Sequence, residues 1–527
     1  MIRVLVSDSM ASEGIEVFRK TPGIEVDVIT KHTPEELKEL VASYDGLVVR
    51  SASKITKEIL DSADKLTVIG RAGAGVDNID VEAASKKGIV VMNTPGGNTV
   101  TTGEHAIAMM LSLARKIPQA TASMKAGKWE KSRFMGNEYC NKTLGIIGIG
   151  RIGSVVADRA KGLKMNVIAY DPFISQEAAE KMGITLASLD EIYGSADFIS
   201  VHTPKNKETT GMINAAAFAK MKKGVFVINC ARGGIVNEKD LYDALVSGQV
   251  AGAALDVFEE EPTKNIDLIS LDNVICTPHL GASTDEAQTT VAVAIAEQMV
   301  DYLLKGEIRY AVNFPAVSAD LMAAITPYLA LAEKLGKFQA QIVSGGIEEI
   351  NIEYSGEILK YDVAPITIAL LKGLLTPILN ENVNYINAPV IAKERGINVK
   401  ESRSSAEGDY RSMITLTLKT SEGESITAGA LFGRRDPRIV RINQFTVDVI
   451  PEGHLLMLYN HDKPGVIGNI GTAIGSANIN IARMHWSRLQ AEQKAMVVFS
   501  TDTPVDAQLL KKLKETPNVI SVQELDM

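Results

Sequence analysis

The stretch that decides the fold runs from Thr143 to Asp171 and reads TLGIIGIGRIGSVVADRAKGLKMNVIAYD. An apolar run, Leu144 to Ile149, carries the glycine pattern Gly148-x-Gly150-x-x-Gly153 at its end. An amphipathic segment follows to Gly162, and a second apolar run, Val167 to Tyr170, stops at Asp171. The periodicity is that of strand, tight turn, helix, strand and acid. Each glycine has its own steric reason: Gly148 permits the turn, Gly150 lets backbone approach a pyrophosphate, and Gly153 lets the helix pack against the strand. Amides at the new helix N-terminus then face the phosphates. Asp171 lies 18 residues after Gly153. A carboxylate there can hold both hydroxyls of an adenosine ribose and repel a 2′-phosphate. Pro172-Phe173-Ile174-Ser175 brings no cation to receive that phosphate, so the expected cofactor is NAD rather than NADP.

Outward from this unit, the 527 residues exceed what one core holds, and ordinary domain sizes predict three or four domains. A hydrophobic content of 46% with 23% charged residues is that of a globular chain. The net charge of -9 argues against nucleic acid as a general partner. Three cysteines, Cys140, Cys230 and Cys276, make no CxxC pair and fit a reducing compartment. MIRVLVSD opens as a strand without a cationic leader, and the longest apolar candidate, 365 to 379, is broken by Lys372, Gly373 and Pro377. The expectation is a cytoplasmic protein without a membrane span.

Residues 2 to 97 alternate strand and helix, with helices starting at Ser12, Thr33, Thr56 and Asp80, which predicts a second parallel sheet lacking the glycine fingerprint. Function in such sheets sits at the C-terminal strand ends, where Arg50 and Arg71 fall. One long helix is expected from Thr99 through Ile117, and another from Thr284 to Leu304, capped by Ser283 or Thr284. The predicted fold class is α/β, with two doubly wound, Rossmann-like parallel lobes and a cleft between them. The first lobe is discontinuous, 1–98 and 285–314, and the dinucleotide lobe spans 99–284. An α+β domain is expected over 315–450, with helical spacing in 318–343 and alternating strands from Arg411 to Val449. A βαββαβ, ferredoxin-like module follows over 451–527.

Three pieces fall at successive strand ends of the dinucleotide lobe: Asn229-Cys-Ala-Arg232, Ala254-Leu-Asp256 with Glu261, and Thr277-Pro-His279. A cation, an acid and a histidine in one cleft suit hydride transfer at a hydroxy acid. Arg232 can clamp a carboxylate and polarise the adjoining C2 oxygen. His279 can take the hydroxyl proton and return it in reverse, with Glu261 on its other nitrogen to fix the tautomer. His202 reads as a structural histidine beside the cofactor, and His105 as packing or an interlobe contact within its helix. Cys230 has no evident base, so a backbone contact is expected rather than nucleophilic attack. No HExxH, CxxC or carboxylate cluster occurs at metal spacing, and no metal is assigned.

The motifs GRAGAGVDNID, MNTPGGN, GIIGIGRIG, NCARGGIV, ALDVFEEEP and TPHLGAS together resemble the D-isomer-specific 2-hydroxyacid dehydrogenase family over roughly the first 310 residues. The resemblance implies Arg232, Glu261 and His279 as the catalytic set. It implies NAD contacts at Gly148, Gly150, Arg151, Ile152, Gly153, Asp171, Thr203, Cys230, Ala231, Arg232, Asp256, His279, Leu280, Gly281 and Ala282. It also places Gly96, Gly97 and Asn98 at the substrate carboxylate, and Arg50 and Arg71 at a phosphate. The implied activity is NAD-dependent oxidation of 3-phospho-D-glycerate to 3-phosphohydroxypyruvate, which opens serine biosynthesis. The assembly implied is a homodimer or homotetramer, in which Lys131 and Arg133 reach a neighbouring cleft. The tail resembles an ACT domain through NHDKPGVIGNIGTAIGSANINI, which implies an L-serine effector at Asn460, Asp462 and Asn480. The region 316–449 resembles the extra domain of the family's long form, and Arg434, Arg435, Arg438 and Arg441 read as a solvated face. Two rival readings stand. A glyoxylate or hydroxypyruvate reductase of the same family is opposed by the last 200 residues. A dinucleotide-sensing scaffold, resembling the C-terminal binding protein corepressors, is opposed by the acidic charge and the amino-acid-sensing tail.

Overall fold

The computed structural model describes residues 1–315, 319–379, 382–405, 409–489 and 493–527. Strands β1 (Ile2–Val6), β2 (Ile24–Val28), β3 (Gly46–Val49), β4 (Val68–Arg71) and β5 (Val90–Met92) form one sheet in the order β2-β1-β3-β4-β5. All its pairs are parallel. Helices α1 (Ser12–Arg19), α2 (Pro34–Val41), α3 (Lys57–Asp61) and α4 (Val81–Lys86) cover it, so β3 and β5 are buried throughout and read as unbroken apolar runs. Thr33 starts α2 with a capping box to Glu36, and Asp80 caps α4 through the Ala83 amide.

The chain leaves this sheet through α5 (Thr99–Ala114), which stops three residues short of the predicted end. Lys116 turns to φ 52° and α6 (Ile117–Lys125) begins. Pro118 is the reason: without an N–H to bond residue 114, it is tolerated only in a first turn, so the helix must restart.

The second sheet contains β6 (Thr143–Ile147), β7 (Asn166–Tyr170), β8 (Thr185–Leu186), β9 (Phe198–Val201), β10 (Val225–Asn229), β11 (Val250–Leu255) and β12 (Val274–Cys276). Their order is β12-β11-β10-β9-β6-β7-β8, again parallel in every pair. Helices α7 (Arg151–Gly162), α8 (Gln176–Lys181), α9 (Leu189–Ser195), α10 (Ala215–Lys220), α11 (Glu238–Val246) and α12 (Ile266–Ile269) connect the strands. Strand order reverses between β6 and β9, which opens the crevice where ligands of this architecture bind. Gly148 stands at φ 93°, and a Cβ on Gly153 would lie 2.1 Å from Gly148 O.

Helix α13 (Asp285–Lys305), capped by Thr284 through the Ala287 amide, returns to the first sheet. There Val291, Ile295, Ala296 and Met299 share a core with Val4, Val48 and Val68. Gly70 on β4 makes the close approach possible, since a Cβ there would meet Met299 Sδ at 2.2 Å.

The rest of the chain forms two further sheets. Helix α14 (Ala319–Ile342), β13 (Ile347–Gly356), α15 (Ala364–Leu375), α16 (Ala388–Glu394), β14 (Asn398–Ser404), β15 (Ser412–Thr420), β16 (Gly423–Phe432), β17 (Asp436–Ile442) and β18 (Phe445–Val449) give the order β14-β13-β15-β16-β17-β18. Both α16 and β14 escaped the sequence reading. As an edge strand with most side chains exposed, β14 carries no apolar alternation. Arg438 departs from the solvated face predicted for it: it pairs with Asp448 at 2.9 Å and lies over the Phe432 ring.

In the tail, β19 (His454–His461), α17 (Val466–Ser476), β20 (Ile481–Leu489), β21 (Lys494–Thr501), α18 (Ala507–Lys514) and β22 (Val519–Asp526) form the antiparallel order β20-β21-β19-β22. Alternation divides its two faces. Leu456, Leu458, Val497 and Phe499 pack under α17 and α18, while Leu455, Met457, Met496 and Val498 join the core built on α14 and α15. Among the described residues no helix is long and apolar enough to cross a membrane.

Candidate active site

The loop after β12 places His279 at φ 56°, a left-handed conformation uncommon for a residue with a side chain. Its Nδ1 lies 2.8 Å from Glu261 Oε2, and Glu261 Oε1 accepts the Phe258 amide at 3.1 Å. The bond to Glu261 raises the His279 pKa above the ordinary imidazole value, against the opposing effect of burial. Burial works to raise the Glu261 carboxyl in turn, yet the His279 bond and charge hold it below the ordinary value.

Asp256, expected against the cofactor, borders the cleft but gives its buried carboxylate to the protein. Oδ1 accepts the Leu280 amide at 2.7 Å and the Thr277 hydroxyl at 2.5 Å, and Oδ2 accepts the Gly281 amide at 2.8 Å. His105, expected as packing or an interlobe contact, makes polar contacts at the strand ends of the second sheet. Its Nε2 stands 3.3 Å from Asp256 Oδ1 and 3.2 Å from Thr277 Oγ1. Thr102 and His105 interrupt the apolar face of α5 at helical spacing, and that was the available signal.

Arg232, after β10, donates through Nη1 to its neighbour Ala231 O at 2.7 Å and reaches across to the first lobe, where its Nε donates to Asp77 Oδ2 at 3.1 Å. Nη2 faces Gly75, where a Cβ would come within 2.3 Å. Arg71, at the end of β4, is mostly buried and its Nε has no partner. Burial first, then the charges of Arg232 and Arg50, lower its pKa to about 10, so it remains a cation at neutral pH. Arg50 is held at its backbone: Asp8 accepts its amide at 2.6 Å and Asn78 donates to its carbonyl at 2.8 Å. Gly75, Asp77, Asp8 and Asn78 were not assigned roles from sequence.

Two cavities meet at this point. The larger, about 590 Å³, is lined by Arg50, Arg71, Asn98, Glu261 and His279, with Phe258, Ile269 and Val291 as apolar wall. The smaller, about 180 Å³, is lined by Ile152, Thr203, Cys230, Ala231, Arg232, Asp256, Gly281 and Ala282. His279, Asn98 and Ala282 border both. Gly96 faces Arg151, whose Nη1 would lie 3.3 Å from an added Cβ, and Gly97 packs on Val291.

The residues around the smaller cavity fit a dinucleotide. His202 Nδ1 and Thr203 Oγ1 are buried without partners beside it. The space beside Gly150, just ahead of the α7 N-terminus, is open, with nothing within 4 Å of an added Cβ. Asp171 sits against the glycine turn and accepts the Ile149 amide at 2.9 Å. Burial drops His202 to about 4, so it is a neutral ring, its Nε2 2.8 Å from Ser200 Oγ. Burial pushes the Cys230 thiol up, which disfavours a nucleophilic thiolate.

Residues 107–281 match the D-isomer specific 2-hydroxyacid dehydrogenase NAD binding domain, 324–443 the D-3-phosphoglycerate dehydrogenase intervening domain, and 454–518 the ACT domain. A D-3-phosphoglycerate dehydrogenase of Synechocystis sp. is 45% identical, with 98% of this chain and 94% of the relative covered. That of Archaeoglobus fulgidus is 44% identical, with both chains covered in full. The chain belongs to the D-3-phosphoglycerate dehydrogenase family. Among solved structures, a D-lactate dehydrogenase of Aquifex aeolicus complexed with NAD and lactic acid matches at TM-score 0.54 and 29% identity, covering 60% of this chain and all of that one. The match to an NAD binding domain bears out the cofactor expected from the glycine turn and Asp171.

Family membership extends to the tail, where the residues expected to hold an effector are each bonded to a neighbour. Asp462 Oδ2 pairs with Arg488 at 2.5 Å, and Asn480 donates to Asp502 at 2.7 Å. Asn460 is buried, donates to His461 O and leaves its Oδ1 without a partner. In the segment expected to serve a neighbouring cleft, Lys131 lies in a 3₁₀ turn with Arg133, which faces Glu130 and Asp272 of its own chain, each at 3.5 Å. Trp129 beside them is 81% exposed.

Proposed function

We propose that the protein oxidises 3-phospho-D-glycerate to 3-phosphohydroxypyruvate with NAD, the entry step of phosphorylated L-serine biosynthesis. One observation carries this reading: the His279–Glu261 pair opens into the same cleft as Arg50 and Arg71, with Arg232 at its border. Three guanidinium groups that raise one another's electrostatic cost favour an anionic ligand between them. A phosphate at Arg50 and Arg71 and a carboxylate near Asn98 and Arg232 supply it.

NAD, when bound along Gly150, Ile152, Asp171 and Thr203, supplies the carbon that accepts hydride. His279 Nε2 takes the hydroxyl proton as hydride leaves C2, and Glu261 stabilises the imidazolium that results. Arg232 grips the acid group and draws charge onto the C2 oxygen. In the reverse direction His279 returns the proton to that oxygen.

The division that supports this chemistry is a substrate lobe over 1–98 and 285–314, an NAD lobe over 99–284, an intervening domain over 315–450 and an effector module over 451–527. The packing of α13 on the first sheet supports the discontinuous lobe. We further propose a cytoplasmic homodimer or homotetramer inhibited by L-serine at the tail, where the buried Asn460 Oδ1 is left without a partner. Initial rates of NADH formation with 3-phosphoglycerate and with glycerate, beside NADH-dependent reduction of glyoxylate and hydroxypyruvate, test the assignment. Preference for 3-phosphoglycerate is expected. A preference for glyoxylate reduction would replace it with the reductase reading, and binding of NAD without turnover would replace it with the scaffold.

A further inference from the structure

Helix α5 rises directly from the crossing at Gly96-Gly97-Asn98 and lays Thr102, His105 and Met109 against the turn that carries His279. Thr102 Oγ1 donates to Gly281 O at 2.9 Å. His105 Nε2 reaches Asp256 Oδ1, whose carboxylate also receives the Leu280 and Gly281 amides, while Asp256 O receives the His279 amide at 2.9 Å. The left-handed backbone at His279 is therefore tied to one buried residue, its own amide to the Asp256 carbonyl and the two amides after it to the Asp256 carboxylate. A carboxylate removed from water keeps a single orientation only where donors surround it, and His105 Nε2, 3.3 Å from that carboxylate and 3.2 Å from the Thr277 hydroxyl that donates to it, is the contact from outside the strand-end loops.

We propose that His105 is a positioning residue for the reaction, its Nε2–H fixing the Asp256 carboxylate and thereby the turn that aims His279. The inference rests on His279 as the acid–base group of the proposed reaction. It assigns α5 a second duty: the helix that joins the lobes also braces the catalytic turn, so the crossing and the imidazole are mechanically connected. The charged groups facing His279 are Glu261, Asp256 and Arg232, the last paired with Asp77. His105 acts on the first of these contacts through the second.

The test compares wild type with His105→Phe, His105→Gln and Thr102→Val. Two readouts are taken: kcat and KM for 3-phosphoglycerate, and the titration of the His279 ring by NMR of histidine-labelled protein, assigned with His279→Gln. His105→Phe is expected to lower kcat about ten- to a hundredfold while KM stays within about threefold, the signature of lost orientation rather than lost binding. The His279 titration is expected to move to lower pH as its bond to Glu261 loosens. His105→Gln, which keeps a donor, restores most of both, and Thr102→Val shifts both weakly in the same direction. An unchanged His279 titration and kcat in His105→Phe overturns the proposal, as does a His105→Gln variant as impaired as His105→Phe. Should His105→Phe fail to fold, His105→Gln and Thr102→Val decide alone: a well-folded Thr102→Val with a wild-type titration overturns it. The NMR readout needs no substrate, so failure of the wild type to oxidise 3-phosphoglycerate would count against the proposed function and leave this test standing.

Discussion

Two parallel sheets face each other across the cleft, and their C-terminal strand ends are equipped differently. The first sheet presents Arg50 and Arg71, cations whose placement depends on backbone bonds to Asp8 and Asn78 and on Gly73, where a Cβ would strike Arg71 Nη1 at 1.6 Å. The second presents a glycine turn, Arg232 and a histidine held in left-handed geometry by Asp256. One lobe fixes charge and the other fixes an orientation. Charge acts over several ångströms and tolerates small displacements, whereas proton transfer fails when donor and acceptor separate by a fraction of that distance.

The sharpest break of this comparison is at His279. His279→Gln keeps the volume and removes the proton acceptor, and kcat for NAD reduction is expected to fall about 10²- to 10⁴-fold with KM for 3-phosphoglycerate little changed. The first lobe answers differently. Arg71→Ala is expected to lower kcat/KM for 3-phosphoglycerate by about a hundredfold and to leave that for glycerate nearly unchanged, because a charge-assisted bond is worth roughly 1.5–3 kcal/mol. Arg50→Ala, at a more exposed site, loses less. Steady-state rates with both acids measure the ratio, and unaltered selectivity would remove the phosphate from this wall of the cleft.

How much of this was legible in the sequence depended on whether the physics was local. The glycine turn was readable because its demands are met within six residues: the left-handed Gly148 and the helix–strand contact at Gly153 leave no room for other side chains. The alternation of strands and helices in both lobes, and βαββαβ in the tail, was readable for the same reason. His279, Glu261 and Arg232 were singled out by residue type at strand ends, with a family resemblance to sharpen them. Their supports were not readable. Arg232 meets Asp77 across 155 residues and Thr102 meets Gly281 across 179, and no short-range pattern encodes such meetings. Edge strand β14 lacked apolar alternation, and helix α16 is only seven residues long, too short for its buried Ala388, Ile391 and Ala392 to stand out as a period. In the tail, Asp462 and Asn480 stand beside strand ends, but each is already bonded to a neighbour.

A smaller effect is expected at Asp171, which belongs to the second lobe yet acts through charge. Its carboxylate accepts the Ile149 and Phe173 amides, and beside a bound adenosine it is expected to repel a 2′-phosphate. Asp171→Ala is expected to raise KM for NAD about tenfold and to admit NADP, since it removes one ribose acceptor and one repulsion. Rates with each dinucleotide, at saturating 3-phosphoglycerate, check it.

The finest distinction between charge and orientation lies within the His279–Glu261 pair, which does both. Glu261 holds the imidazole by a 2.8 Å bond and raises its pKa, so in the oxidative direction the base is unprotonated only above that raised value. For stability the signs run oppositely in the two partners. The contribution from the raised His279 pKa is full below the ordinary histidine value and is lost as pH rises through the folded one. The contribution from the lowered Glu261 pKa is full above the ordinary glutamate value and is lost as pH falls through the folded one. The pair therefore contributes most between the two, and both side chains are exposed enough for water to keep that contribution small. Glu261→Gln keeps a hydrogen-bond acceptor and removes the charge. The acid limb of kcat/KM for oxidation is then expected to move to lower pH, while the plateau falls several-fold because the imidazolium formed during the step is no longer stabilised. A lowered plateau with an unmoved limb would mean that Glu261 orients the ring without tuning it, and the second lobe would then work by orientation alone.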